Sequence, residues 1–287
     1  MRDYRRRFCS ALLLIVLLSL PLSAQQLILP LNSGSVRFAA FGDMGTGTQP
    51  QYEVAAQMAA IRKQFPFEFV ITLGDNIYGG NTPADYQKKF ELPYKPLLDG
   101  GVKFYAALGN HDNAVTQKAY KPFNMNGEQY YTFRKGNVQF FALDSNYMDP
   151  KEIAWLTKEL QNSNADWKIC YFHHPLYSSA KFHGPSLELR GILEPLFILN
   201  HVQVVFSGHE HVYERLKPQK GIYYFVEGAA GELRRGDLKK TDQTAVGYDQ
   251  DQSFLLVEIS GDELDFQAIS RAGKTVDYGA IARPKTK

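Results

Sequence analysis

Five short apolar runs in this chain break off at the same kind of residue, and that shared ending constrains the fold more than any other feature. "SVRFAAFGD" stops at Gly42-Asp43, "FEFVITLGDN" at Gly74-Asp75-Asn76, and "VKFYAALGNHD" at Gly109-Asn110-His111-Asp112. "WKICYFHHP" stops at His173-His174-Pro175 and "VQVVFSGHEH" at Gly208-His209-Glu210-His211. Each run is brief and rich in β-branched or aromatic residues, the pattern of a buried strand. Helical spacing fills the gaps between them. Residues 51–65 repeat apolar positions near 3.6, residues 150–162 open on the cap and first-turn pair Asp149-Pro150, and residues 186–199 are interrupted at Pro195. Strands alternating with helices imply crossover connections and largely parallel pairing. "EQYYTFRKGNVQFFALD" and "FLLVEISGDELDFQAIS" read as antiparallel hairpins, turning at Lys135-Gly136-Asn137 and Ser260-Gly261-Asp262, and "GIYYFVEGAAG" is grouped with them. The expected fold is α/β, with two mixed β-sheets packed face to face and helices on both outer sides.

The chain has 287 residues, of which residues 1–24 read as an export signal. Arg5-Arg6-Arg7 supply a basic start, "ALLLIVLLSLPL" an apolar stretch, and Ser23-Ala24 small residues at a cleavage point. The apolar stretch is short for a membrane span, and an uncleaved anchor is the competing reading. "RRRFC" faintly resembles a twin-arginine signal, but the strongly apolar centre fits the general secretory route better. The signal carries Arg2, Arg5, Arg6 and Arg7 against Asp3, so its loss turns a formal charge of +2 slightly negative. The basicity belongs to the signal, and nothing argues for nucleic acid or an anionic membrane as partner. Cys9 leaves with it, so Cys170 has no internal disulfide partner. Residues 25–34 read as a short linker and residues 35–287 as one domain, expected in the periplasm or secreted.

In open α/β sheets, binding sites form beyond the carboxyl ends of the strands. Asp, Asn and His at those ends are metal-ion donors. A Gly precedes the polar residue in four of the five endings, which the sequence explains by a sharp turn off the strand. A lone Gly-Asp is ordinarily a turn, but five such endings in order at one edge indicate metal. Asp43, Asp75, Asn110, His173, His209 and His211 exceed the needs of one tetrahedral site. Two ions about 3.5–4 Å apart, sharing a carboxylate, would use them all. His209 and His211 stand two apart in extended chain, so each can serve a different ion.

These motifs, with Gly42-Asp43-Met44-Gly45 and Gly74-Asp75-Asn76-Ile77-Tyr78 foremost, resemble those of the purple acid phosphatases, within the calcineurin-like metallophosphoesterase superfamily. The similarity spans roughly residues 36 to 280 and is nearest the small, tartrate-resistant branch. The fourth motif is looser, with Cys170 where the family has Val. The resemblance implies a four-layer α/β/β/α sandwich. It implies a ferric ion held by Asp43, Asp75, Tyr78 and His211, and a divalent Fe, Zn or Mn held by Asp75, Asn110, His173 and His209, with Asp75 shared. Most of the wider superfamily has His two residues after the first Asp; here that residue is Gly45, and Tyr78 stands in for it.

The implied activity is an acid phosphatase that hydrolyses small phosphate monoesters by attack of metal-bound hydroxide. His111 and His183 are the expected proton donors to the leaving group, with Asp112 orienting His111 and phosphate raising the pKa of His183. His174, His201 and Asp144 are read as structural. The runner-up is a phosphodiesterase acting on nucleotides, separable by comparing mono- and diester substrates. A non-catalytic metal- or phosphate-binding protein would predict lost ligands, and no ligand position is lost. "GHEHVYE" is no zinc-protease motif, because the second His would fall at Tyr213.

Overall fold

The computed structural model describes residues 27–239 and 241–283. Thirteen strands among them form two mixed sheets. In chain order they are β1 (Val36–Phe41), β2 (Phe69–Leu73), β3 (Lys103–Ala107), β4 (Tyr131–Lys135), β5 (Val138–Ala142), β6 (Trp167–Tyr171) and β7 (Val204–Ser207). They continue as β8 (Tyr213–Leu216), β9 (Tyr223–Glu227), β10 (Thr244–Tyr248), β11 (Ser253–Ser260), β12 (Glu263–Ser270) and β13 (Thr275–Ala282). One sheet runs β13-β12-β11-β1-β2-β3 and the other β10-β8-β9-β7-β6-β5-β4. β1–β2–β3 and β5–β6–β7–β9 pair parallel; antiparallel strands extend the first sheet from β1, leaving β3 at its edge, and the second sheet on both sides.

Three apolar layers hold these sheets. Between them, Phe38, Ile71 and Val257 of the first sheet meet Phe140, Ile169 and Phe206 of the second. Phe38 stacks on Phe69 at 5.2 Å and meets Phe140 edge-on at 5.2 Å, so aromatic geometry sets part of the spacing. Outside the first sheet, Val54 and Met58 of α1 (Gln49–Ile61) pack with Ala39, Val70 and Leu256. That layer also takes Tyr86 of α2 (Pro83–Tyr86) and Leu97 of α3 (Lys95–Asp99), while α4 (Ala114–Ala119) follows β3. Outside the second sheet, Leu156 and Leu160 of α5 (Pro150–Asn162) and Leu193 and Phe197 of α6 (Leu187–Leu199) cover Phe141, Cys170 and Val205. The result is the expected four-layer α/β/β/α arrangement.

The helices fall close to their expected spans. Asp149 caps α5, its carboxylate accepting from the Glu152 N–H at 2.8 Å. α6 runs through Pro195. α1 ends at Ile61, and the following turns bury Phe65 completely. Two expectations change. "GIYYFVEGAAG" forms β9, which pairs parallel with β7 although it is antiparallel to β8, so its carboxyl end joins the same edge as the five motif strands. The described part of the expected linker, residues 27–34, docks on the first sheet. Leu29 is 6% exposed in its outer core, and the Ile28 and Leu31 N–H groups donate to Gln267 and Glu258 at 3.0 and 2.8 Å. Apolar Leu27 and Leu29 drive this contact. The signal segment lies outside the described residues.

Candidate metal centre

The carboxyl ends of the two sheets meet through their own backbones. Gly42 N–H donates to the Glu227 carbonyl at 2.7 Å, and the His209 N–H donates to Asp43 Oδ2 at 2.8 Å. To bring side chains inward at this seam, Asp43, Asp75 and His209 adopt φ of 54°, 51° and 69°, the left-handed region. Such conformations are costly and concentrate at functional sites. The glycines therefore do a different job from the one read off the sequence. Of Gly42, Gly74, Gly109 and Gly208, only Gly74 has a positive φ, at 89°. The others make room. A Cβ on Gly109 would lie 2.2 Å from Asp75 Oδ1, and one on Gly208 2.6 Å from Asp43 Oδ2.

The candidate ligands fall into two groups joined by Asp75. In the first, the Tyr78 hydroxyl donates to Asp43 Oδ1 at 3.1 Å, and His211 Nε2 lies 3.3 Å from both of those oxygens. In the second, His173 Nε2 lies 3.0 Å from Asn110 Oδ1, 3.1 Å from His209 Nδ1 and 3.5 Å from Asp75 Oδ2. The Asp75 carboxylate also interacts with Tyr78, so it reaches both groups. Donor atoms of Asp43, Asp75 and His173 lie within 4.8 Å of one another. His173 Nδ1–H donates to the Leu73 carbonyl at 2.8 Å, which leaves a lone pair on Nε2 facing the Asn110 oxygen. Acceptor thus faces acceptor, an arrangement that a cation between them resolves.

The electrostatics agree. Burial, and then the neighbouring Asp75 charge, push Asp43 well above the usual carboxylate range, and burial raises Asp75. Burial likewise lowers His173 strongly, lowers His209, and brings His211 down to about 4. Buried carboxylates side by side beside neutral imidazoles fit a site built to hold cations.

All seven sequence-assigned ligand positions are brought together. His111 and His183 stand exposed at the rim: the His111 ring lies 5.0 Å from that of Tyr78, and the His183 ring 4.1 Å from that of His209. One expected detail changes. Asp112 does not orient His111. Its carboxylate accepts from the N–H groups of Asn76, Ile77 and Gly109 and the side-chain amides of Asn76 and Gln117, which brace the loop instead. In the absence of phosphate, burial and then the Arg234 charge lower the pKa of His183.

Sequence reasoning read His174, whose ring lies 4.4 Å from His209 and whose Nδ1 is 2.9 Å from Ser145 Oγ, as structural. It missed Glu227, fully buried at the end of β9 and pushed up to about 8 by burial. The signal for Glu227 was the polar residue before Gly228, hidden by the antiparallel reading of β9. Gly45 explains why Tyr78 is needed. A Cβ at that position would lie 1.9 Å from the Asn76 oxygen, because residue 45 packs against the loop that presents Tyr78. A histidine at position 45 has no room here, so the phenol arrives from the next motif.

Residues 36–213 match the calcineurin-like phosphoesterase family, and the chain belongs to that family. Among curated relatives it is 26% identical over 274 residues to purple acid phosphatase 4 of Arabidopsis thaliana, covering 82% of this chain and 80% of that one. It is 28% identical over 308 residues to human tartrate-resistant acid phosphatase type 5, covering 88% of this chain and 94% of that one. Two solved structures share the fold. One is GAP50, the anchor in the inner membrane complex of Plasmodium, with a TM-score of 0.76 at 20% identity, covering 88% of this chain and 90% of that one. The other is the purple acid phosphatase PPD1 from yellow lupin (Lupinus luteus) seeds, with a TM-score of 0.73 at 20% identity, covering 88% of this chain and 54% of that one.

Proposed function

We propose that this chain is an acid phosphatase of the purple type, hydrolysing small phosphate monoesters at a binuclear metal centre. The observation that carries this reading is the pair of donor groups sharing Asp75, six of whose members come from five strand ends in two different sheets. Asp43, Tyr78 and His211 would hold one ion, Asn110, His173 and His209 the other, and Asp75 both. When bound, two cations would neutralise a monoester dianion, polarise its phosphoryl oxygens and make water a nucleophile at acidic pH.

The rest is the work of the chain. Tyr78 lies against Asp43 and Asp75, and its pKa is far above that of an ordinary phenol, first from burial and then from their charges. Only a strongly Lewis-acidic cation would take its proton, which supports ferric iron on that side and a divalent Fe, Zn or Mn on the other. Removing the phenol in Tyr78→Phe would abolish the visible charge-transfer band of such a centre. His111 and His183 flank the cleft at the rim, in reach of the ester oxygen that leaves. His111 would supply the leaving group's proton. His183, kept neutral by its surroundings, would donate a hydrogen bond to the phosphoryl group. His111→Ala is expected to cut turnover by on the order of 10²-fold while two metal ions stay bound; unchanged turnover removes it from the mechanism. Nitrophenyl phosphate should be hydrolysed far faster than bis-nitrophenyl phosphate, and the reverse order would make the chain a diesterase.

The N-terminal signal supports export to the periplasm or beyond the cell. Among the described residues no helix is long and apolar enough to cross a membrane. A mature N-terminus at Gln25 tests export, and a retained Met1 counts against it.

A further inference from the structure

Residues 228–237 form a strap across the metal centre, tied to the backbone of its ligands. Glu232 N–H donates to the Asp43 carbonyl at 3.0 Å and Arg234 N–H to the His211 carbonyl at 3.0 Å. Gly231 packs so closely that a Cβ would lie 2.4 Å from the Met44 oxygen. The strap fixes where Arg234 emerges. Its guanidinium lies 3.7 Å from the centroid of the Phe182 ring, and Phe182 in turn meets His183 at 4.5 Å. His183 packs against His209, so the order from the candidate ligand outward is His209, His183, Phe182, Arg234.

This guanidinium reaches carboxylates only at a distance, its charge acting on buried Glu210 and Asp43. Among the described residues Arg234 Nη1 is buried without a hydrogen-bond partner, and no side chain forms an ion pair with it. Its charge also acts on His183 and His211, and placing a half-buried cation beside a site for two more adds repulsion. Preorganised guanidinium groups match carboxylate and phosphate oxygens in geometry. Phe182 is 64% exposed at the same rim, giving an aromatic face next to the charge.

We infer that Arg234, held on Phe182, is a specificity-determining residue that binds a second anionic group carried by the leaving half of the substrate. This rests on the phosphatase reading for its catalytic consequence but not for binding. The preferred esters carry a carboxylate or a further phosphate beyond the scissile phosphoryl group. Arg235, exposed on the same strap, has no such role.

The test compares phenyl phosphate with 4-carboxyphenyl phosphate, and phenylphosphonate with 4-carboxyphenylphosphonate, on metal-loaded protein. Arg234→Met keeps an apolar contact on Phe182 and removes the charge. It should lower kcat/KM for the carboxylated ester by about 10- to 100-fold more than for phenyl phosphate, chiefly through KM. Calorimetry should find that the wild type binds the carboxylated phosphonate at least about 10-fold more tightly, and that Arg234→Met loses this preference. Arg235→Gln should retain it. Equal losses on both esters, or no wild-type preference, would each overturn the assignment. Selective binding without turnover of either ester would leave Arg234 in place and refute the phosphatase reading instead.

Discussion

Asp75→Asn is expected to reduce monoester turnover by at least about 10³-fold, beyond the loss seen when one transition-state donor is removed, and to stabilise the metal-free protein at the same time. The two effects have one cause. The Asp75 carboxylate reaches His173 Nε2 at 3.5 Å on one side and Tyr78 on the other, so its charge is the common element of both donor groups. An amide keeps the shape. Its oxygen can still accept from the His111 N–H, now 2.9 Å from Asp75 Oδ1, and its NH₂ can donate to the His173 lone pair. What disappears is the repulsion that helps push Asp43 up, along with the charge that would hold two cations together. A purely structural Asp predicts the opposite pairing: turnover kept and stability lost. Melting of the metal-free variant, with metal content and turnover of the loaded one, separates the two. A lower melting temperature without metal, or near-normal turnover with two ions bound, contradicts the assignment.

Stripping the metals should leave a protein whose stability falls as pH rises from about 6.5 to about 8. Burial pushes Glu227 and Glu152 up to about 8 and Asp112 and Glu210 up to about 7, and it raises Asp43 and Asp75. Unfolded carboxyls titrate near 4. The folded protein therefore holds these protons longer. The stability they contribute is complete below about pH 4 and is lost as pH rises through the folded values. The imidazoles run the other way. His211 falls to about 4, and His173, His174 and His209 are also lowered, so their contribution is present above the unfolded value near 6.5 and lost as pH falls through the folded values. The trends oppose each other at acidic pH, and only the carboxyl trend remains above about 6.5. Bound cations favour ionised Asp43 and Asp75 and neutral imidazoles, so loading should flatten the decline. Free metal at about 1,000-fold its Kd would add about 4 kcal/mol. Melting curves from pH 5 to 8, with and without metal, check this; a metal-free melting temperature that climbs from 6.5 to 8 goes against it.

The site was legible in the sequence wherever a ligand sits at the end of its own strand. Asp43, Asp75, Asn110, His173, His209 and His211 each follow an apolar run that announces both the strand and its buried edge. α5 was legible for a similar local reason, since Asp149-Pro150 states its start. Contacts made only across the fold were not legible. The parallel seat of β9 beside β7, which delivers Glu227 and the strap, depends on the second sheet's order rather than on the β9 residues. Asp112 resembled a histidine partner by adjacency, yet five donors from the Gly74 and Gly109 loops and α4 claim its carboxylate. The glycines were recognised for the right place and the wrong reason. The turns fall largely on the ligands themselves, and the glycines spare them a collision. The place of Arg234 likewise shows only in the fold, through its stacking on Phe182 and its unpartnered Nη1.

The central claim is that side chains from two sheets cage two cations around one shared carboxylate. Elemental analysis of the purified protein, paired with anomalous diffraction at the metal absorption edges, measures it most directly. The account predicts two ions per chain, one beside Asp43, Tyr78 and His211, one beside Asn110, His173 and His209, and Asp75 touching both. One ion per chain, or two that do not share Asp75, would contradict it.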